Sequence, residues 1–133
     1  MPDVRVMCAI GRRGQLGLAG RLPWEGAKDP EYVADVERFW AQTRGHVIIM
    51  GPRTYASVPA FAFAERDIVE IHGSDMPDEV LARFPGRVVF IGGGPSVFAA
   101  YAHHVRLWDI NRLSYDGEAD RWFDPHWLVA GQS

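Results

Sequence analysis

Cysteine is nearly missing from this chain. Cys8 is the only one, so an internal disulfide cannot form and a zinc site built on thiolates is excluded. A lone cysteine in an apolar segment is usually a small buried hydrophobe. Lysine is as scarce: of 14 basic residues, only Lys28 is not arginine, a compositional bias without functional content. The formal charge is -3 and no basic stripe stands out, which argues against nucleic acid as a partner. No apolar run approaches the roughly 20 residues that a membrane-spanning helix needs. The start of the chain lacks the charged region, apolar core and cleavage site of a secretory leader. A cytoplasmic protein with no membrane and no nucleic-acid partner is the expectation.

What is present suits an ordered globule. Hydrophobic residues make up 47% and charged residues 23% of 133 residues, so disorder is not the expected default. The length fits one domain, residues 1–133, that buries roughly two-thirds of its unfolded surface. There is no internal repeat and no low-complexity segment.

Apolar runs alternate with helical patterns. Val4 to Ile10 reads as a buried strand ended by Gly11. Gly11 to Gly20 holds four glycines and reads as a mobile loop. Asp29-Pro30 starts a helix, with Asp29 as N-cap and Pro30 at the first position. Tyr32, Val36, Phe39, Trp40 and Thr43 recur at helical spacing as its inner stripe, and Gly45 ends it. His46 to Met50 is a second strand. Gly51-Pro52 opens a short helix to Ser57, Arg66 to Ile71 is a third strand, and Asp78 to Phe84 a short helix. Arg87 to Ile91 is a fourth strand, followed by Gly92-Gly93-Gly94 and a helix over Pro95 to Ala102. Val105 to Leu113 is the last strand. The alternation predicts βαβ units and a mainly parallel sheet flanked by helices, an α/β fold.

Two features bear on chemistry. A strand, three glycines and a helix form a phosphate-binding arrangement, because glycine admits close backbone approach and a helix start presents free N–H groups. The same run also serves as a simple tight turn, and its spacing is not the dinucleotide-binding G-x-G-x-x-G. Asp35 shares a helix face with Phe39 and Thr43. It reads either as a solvated helix carboxylate or as a partly buried acid that handles a proton. His103 and His104 are adjacent and would point to opposite sides of an extended segment, a poor metal pair. No metal is called for.

The order of motifs resembles the dihydrofolate reductase family. Ala9, Leu16-Gly17 and Leu22-Pro23-Trp24 are similar to its first strand and active-site loop. Val47-Ile48-Ile49-Met50-Gly51, with Arg53-Thr54-Tyr55 and Ser57-Val58, is similar to its V-I-M-G-R-x-T-[WY]-x-S-[IV] segment. Ile91-Gly92-Gly93-Gly94 resembles its cofactor turn, and Asp120 to Phe123 its late D-x-x-F. The resemblance covers nearly the whole chain. It implies a dihydrofolate reductase-like three-layer fold and NADPH-dependent reduction of 7,8-dihydrofolate to 5,6,7,8-tetrahydrofolate. Asp35 would bind the pterin's amino and ring nitrogens and support protonation at N5, with Trp24 beside a bound water. Val36, Phe39 and Val58 would wall the substrate pocket, Thr43 would sit at its edge, and Ala9 and Ile91 would touch the pterin through their backbones. Cofactor contacts would come from Ala9, Leu16, Gly17, Gly51, Arg53, Thr54, Gly92, Gly93, Gly94 and Ser96, with Gly92-Gly93 as the family's cis glycine pair.

Five departures qualify that picture. Ten residues lie between Trp24 and Asp35, more than is usual, and they include Glu25, Asp29 and Glu31 as rival acids. The ungapped spacing from Asp35 to Phe39, Thr43 and Met50-Gly51 favours Asp35. Pro52 replaces an arginine that grips the cofactor's 2′-phosphate, leaving Arg53 as substitute. The P-L-x-G-R pattern that binds folate's glutamate tail is lost, with Glu65 or Arg66 near its arginine. Ile110 falls where relatives carry a threonine bonded to the acid, and Val97 or Phe98 where they carry a tyrosine, Tyr101 lying further along. The closing C-terminal hairpin is expected to be absent, and an open sheet edge favours a homodimer. A reductase of another dihydropterin is the alternative the altered tail segment suggests. A family fold kept for binding, with little catalysis, is the other.

Overall fold

The computed structural model describes residues 1–131. Five strands form one parallel sheet: β1 (Asp3–Ile10), β3 (Val47–Met50), β4 (Asp67–Glu70), β5 (Val88–Ile91) and β6 (Leu107–Arg112), in the order β4-β3-β5-β1-β6. Position in the sheet follows side-chain chemistry. β3 is apolar throughout and wholly buried, and β5 nearly so, as strands covered on both faces must be. β4 and β6 carry Asp67, Glu70, Asp109, Asn111 and Arg112 and take the two edges. Among the described residues no antiparallel strand joins β6.

Four α-helices make the crossovers: α1 (Pro30–Thr43), α2 (Pro52–Ala56), α3 (Pro77–Leu81) and α4 (Pro95–Tyr101). Each has a proline in its first turn, where the missing N–H has no intrahelical partner to lose. Phe39 and Trp40 of α1 and Tyr55 of α2 pack on one sheet face, over Met7, Ile48, Met50 and Phe90. Val80 and Leu81 of α3, with Phe98 and Tyr101 of α4, cover the other face over Val4, Val6, Val47, Ile49, Val89 and Ile91. The tail adds a 3₁₀ turn at Pro125–Val129, whose Trp127 packs on Phe98, Trp108 and Phe123.

The expected elements recur with three differences. The segment read as a mobile loop contains β2 (Gln15–Gly17), buried throughout and paired antiparallel with β7 (Arg121–Trp122). Neither strand shows a local signal, because each is held by a partner some hundred residues away. β6 is therefore not the last strand. Finally, the cis peptide joins Gly93 to Gly94, not Gly92 to Gly93.

Candidate active site

Asp35 stands half-buried on the inner side of α1. Asn111 Nδ2 donates to its Oδ1 at 3.0 Å, tying the helix to the edge strand β6. Asn111 lies opposite Ala9 of β1 in the parallel register. The strand's alternation explains its direction: Trp108 and Ile110 pack into the core on the far face, so Asp109 and Asn111 face α1. Ile110, aligned with the family's threonine, therefore points away from the acid, and the bond falls to Asn111 one residue on. Sequence alignment missed Asn111, although the apolar Trp108 and Ile110 in a period of two could have revealed it. Asp109 ion-pairs with Arg38, one turn beyond Asp35. Glu31, Ala34, Asp35, Arg38, Asn111, Arg112 and Leu113 line an open groove of about 260 Å³ beside the carboxylate.

The rival acids are otherwise engaged. Glu31 accepts from the backbone and hydroxyl of Ser114, and Glu25 lies 3.8 Å from Arg21. Asp29 caps α1 by position alone, without a side-chain bond. Of the acids in or beside the inserted segment, Asp35 is the one bonded to the sheet beside Ala9.

Apolar walls surround this acid unevenly. Trp24 is buried with Ala9 and Leu113, its ring 6.1 Å from Tyr32 and 5.6 Å from Tyr115. Leu113 also lines the Asp35 groove, so one side chain links Trp24 to the carboxylate. Phe39 and Val58 are half-buried over the Met7, Ile48, Met50 and Phe90 floor. Val36, placed in the inner stripe by its spacing, is 49% exposed, because α1 buries only Thr43 completely. Thr43 does not reach a pocket edge. Its hydroxyl donates to the Phe39 carbonyl at 2.9 Å and accepts from Arg66 Nε at 3.0 Å. Ile91 sends its side chain into the opposite core, leaving only its backbone toward the site.

The sheet has a topological switch point at the carboxyl end of β5. Chain leaving β1 and β3, its neighbours, turns to α1 and α2 on one face, while chain leaving β5 turns to α4 on the other. Such switch points are where open α/β sheets bind ligands. Gly51 and Gly94 cap α2 and α4 without side-chain bonds, and Gly51 N–H donates to the Gly93 carbonyl at 3.0 Å. Gly93 has φ +101°, and a Cβ on Gly92 would lie 2.9 Å from Ile48 Cγ2, so both positions favour glycine. A Cβ on Gly94 would meet nothing within 4 Å, and Thr54 and Ser96 fall in the first turns of the two helices. Arg53 reaches across to the Leu18–Arg21 turn. A Cβ on Gly20 would fall 1.9 Å from an Arg53 guanidinium nitrogen. Leu16 and Gly17 are buried in β2, just before that turn.

Two shifted groups lie outside this chemistry. Burial pushes the Cys8 thiol up to about 12, with the Asp35 and Asp109 carboxylates adding to the effect. His104 is held below 6.5 by burial and then by His103, against the pull of Asp78. Its Nε2 lies 2.9 Å from Asp78 Oδ1 but off the alignment that a hydrogen bond needs.

The family profile described as dihydrofolate reductase matches residues 3–128. A dihydromethanopterin reductase from Methylorubrum extorquens is 60% identical over 131 residues, covering 98% of this chain and 97% of that protein. A type 9 dihydrofolate reductase from Escherichia coli is 34% identical over 59 residues, covering 44% of this chain and 30% of that protein.

Proposed function

This chain belongs to the dihydrofolate reductase family, and from that premise we propose that it reduces a dihydropterin of the dihydromethanopterin type with NADPH. The observation that carries the reading is the Asp35 carboxylate held by Asn111 beside Ala9. The 60% identity to a dihydromethanopterin reductase favours that pterin over dihydrofolate, and so does the missing P-L-x-G-R pattern.

Reducing the N5=C6 double bond of a 7,8-dihydropterin requires a hydride at C6 and a proton at N5. Asp35 accepts hydrogen bonds from the pterin's amino group and adjacent ring nitrogen, which orients the ring and stabilises it as N5 takes its proton. Asn111 keeps the carboxylate in place, so less reorganisation is needed during the reaction. Phe39, Val58 and Trp24 supply apolar surface that excludes water from the reacting ring.

The switch point at the end of β5 supports a dinucleotide site. Two uncapped helix starts and the Gly92-Gly93-Gly94 backbone suit a pyrophosphate, Gly94 leaves open space for it, and Arg53 adds positive charge. Gly51, Arg53, Thr54, Gly92, Gly93, Gly94 and Ser96 would hold that group. When bound, NADPH supplies the hydride. With Pro52 in place of the usual arginine, Arg53 is the residue left to contact a 2′-phosphate.

The test is NADPH oxidation, followed by absorbance, with dihydromethanopterin and with dihydrofolate. The expected result is turnover with a higher kcat/KM for dihydromethanopterin. Asp35→Asn should lower kcat by about 100-fold or more while leaving the fold unchanged. No oxidation with either pterin, or an unaltered rate in Asp35→Asn, would overturn the proposal.

A further inference from the structure

We propose that two copies of this chain pair through the outer edge of β6, antiparallel and two-fold symmetric about Ile110, so that their five-stranded sheets join into one.

The two edges of the sheet are built differently. An edge strand presents unpaired N–H and C=O groups, and an edge that stays free is kept short, twisted by a bulge, or marked with lysine or proline. β4 is such an edge, four residues long with an acid at each end. β6 has none of these guards. It runs six residues without lysine or proline. Its register on β1 is unbroken from Arg5–Leu107 to Ile10–Arg112, so no bulge turns it away. Among the described residues no strand lies on its outer side. Leu107, at its start, leaves an apolar side chain 43% exposed. Its one acid, Asp109, is already neutralised by Arg38 of α1.

The side chains select both the occupant and the register. In an antiparallel pair, residues directly opposite share a face of the sheet. A two-fold axis pairs residue i with j and j with i. Two centres keep five of the six residues of β6 paired, Asp109 and Ile110. An axis at Asp109 sets the two Asp109 carboxylates against each other, and like charges directly opposite destabilise a pair. An axis at Ile110 satisfies every position. Ile110 meets its own copy, on the face where Trp108 and Ile110 pack. Asp109 meets Asn111, whose amide gives one N–H to Asp35 and has a second to donate. Trp108 meets Arg112, a ring and a cation, and Leu107 meets Leu113. Each copy thereby sets Leu107 and Asp109 beside Leu113 and Asn111 of the other, two of the residues that line the groove at Asp35. A strand that matches itself this well fits a second copy of the chain rather than an unrelated strand.

The test reads mass and cross-linking. Light scattering of the wild type at about 50 µM should give twice the 14.9 kDa of one chain. Leu107→Glu changes an exposed side chain of the single copy but would bury a charge against Leu113 of the other. It should return the mass to 14.9 kDa with unchanged circular dichroism. Ile110→Cys sets two thiols opposite each other, their Cα atoms about 5 Å apart, and should form a disulfide-linked dimer when treated with diamide. Leu107→Cys leaves its two thiols about 20 Å apart and should not. A monomeric wild type overturns the proposal. So does a Leu107→Glu dimer, which would put the interface elsewhere, or Leu107→Cys cross-linking as fast as Ile110→Cys, which would deny the register. Should Ile110→Cys fail to fold, the masses of the wild type and Leu107→Glu still decide. Neither readout involves NADPH oxidation, so the reductase reading can fail while the pairing stands.

Discussion

Replacing Arg66 by methionine measures how far the fold depends on that residue. Methionine keeps most of the apolar stem but removes the donors to Thr43 Oγ1 and to the Ala62 and Trp40 carbonyls. Each buried acceptor left unpaired costs about 1–3 kcal/mol. Part of that is returned because a desolvated charge has also gone. A net loss of about 3 kcal/mol follows. Unfolding entropy of ~2.1 cal/mol/K per residue gives ~0.28 kcal/mol/K for a chain of this size, so the Tm should fall by about 11 °C. Far-UV circular dichroism melts read the shift, and urea unfolding should give a lower midpoint with the same slope. Arg66→Lys should fall between, since an ammonium cannot reproduce the planar fork. A Tm for Arg66→Met within about 3 °C of wild type would refute the reasoning, because a residue with three structural bonds cannot be removed at so small a cost.

Three further outcomes follow from other contacts. Asn111→Leu deletes the bond to the Asp35 carboxylate and should lower kcat/KM about tenfold or more, with Asn111→Thr recovering much of it through a hydroxyl donor; equal rates in all three proteins would remove Asn111 from the site. His104 has its folded value held below 6.5, by burial first, so the unfolded chain binds its proton at higher pH. Stability should therefore decline as pH falls below about 6.5, until folded His104 also protonates, and His104→Gln should flatten that slope in urea midpoints compared at about pH 5.5 and 7.5. Cys8, raised to about 12, should be ~10⁻⁴ thiolate near pH 8, and should react with a disulfide reagent only once the chain is unfolded. Labelling of the native protein as fast as that of the unfolded chain would contradict the raised pKa.

The membership of the chemical site was only partly legible. Asp35 could be picked out by its ungapped distance to Phe39, Thr43 and Met50-Gly51, and the glycine turn by its place between a strand and a helix. Thr43 was read as a pocket-edge residue and Arg66, with Glu65, as one of two residues near the tail arginine, whereas the two bond to one another 23 positions apart inside the protein. Neither spacing nor residue type announces such a bond.

Local chemistry, readable from the sequence alone, set the element starts and stops. The runs at Val4–Ile10, Val47–Met50 and Val88–Ile91 became buried strands because continuous apolar surface has to be covered on both sides. Asp29-Pro30 and Gly45 bracket α1 through backbone geometry that belongs to those residues themselves. Tertiary structure alone decided the strand order, the pairing of β2 with β7, the meeting of Asn111 with Asp35, and the burial of Arg66. Each of these joins residues far apart in the chain. Which of many distant partners is met depends on how the whole sheet and its helices pack, and no short window of sequence carries that information.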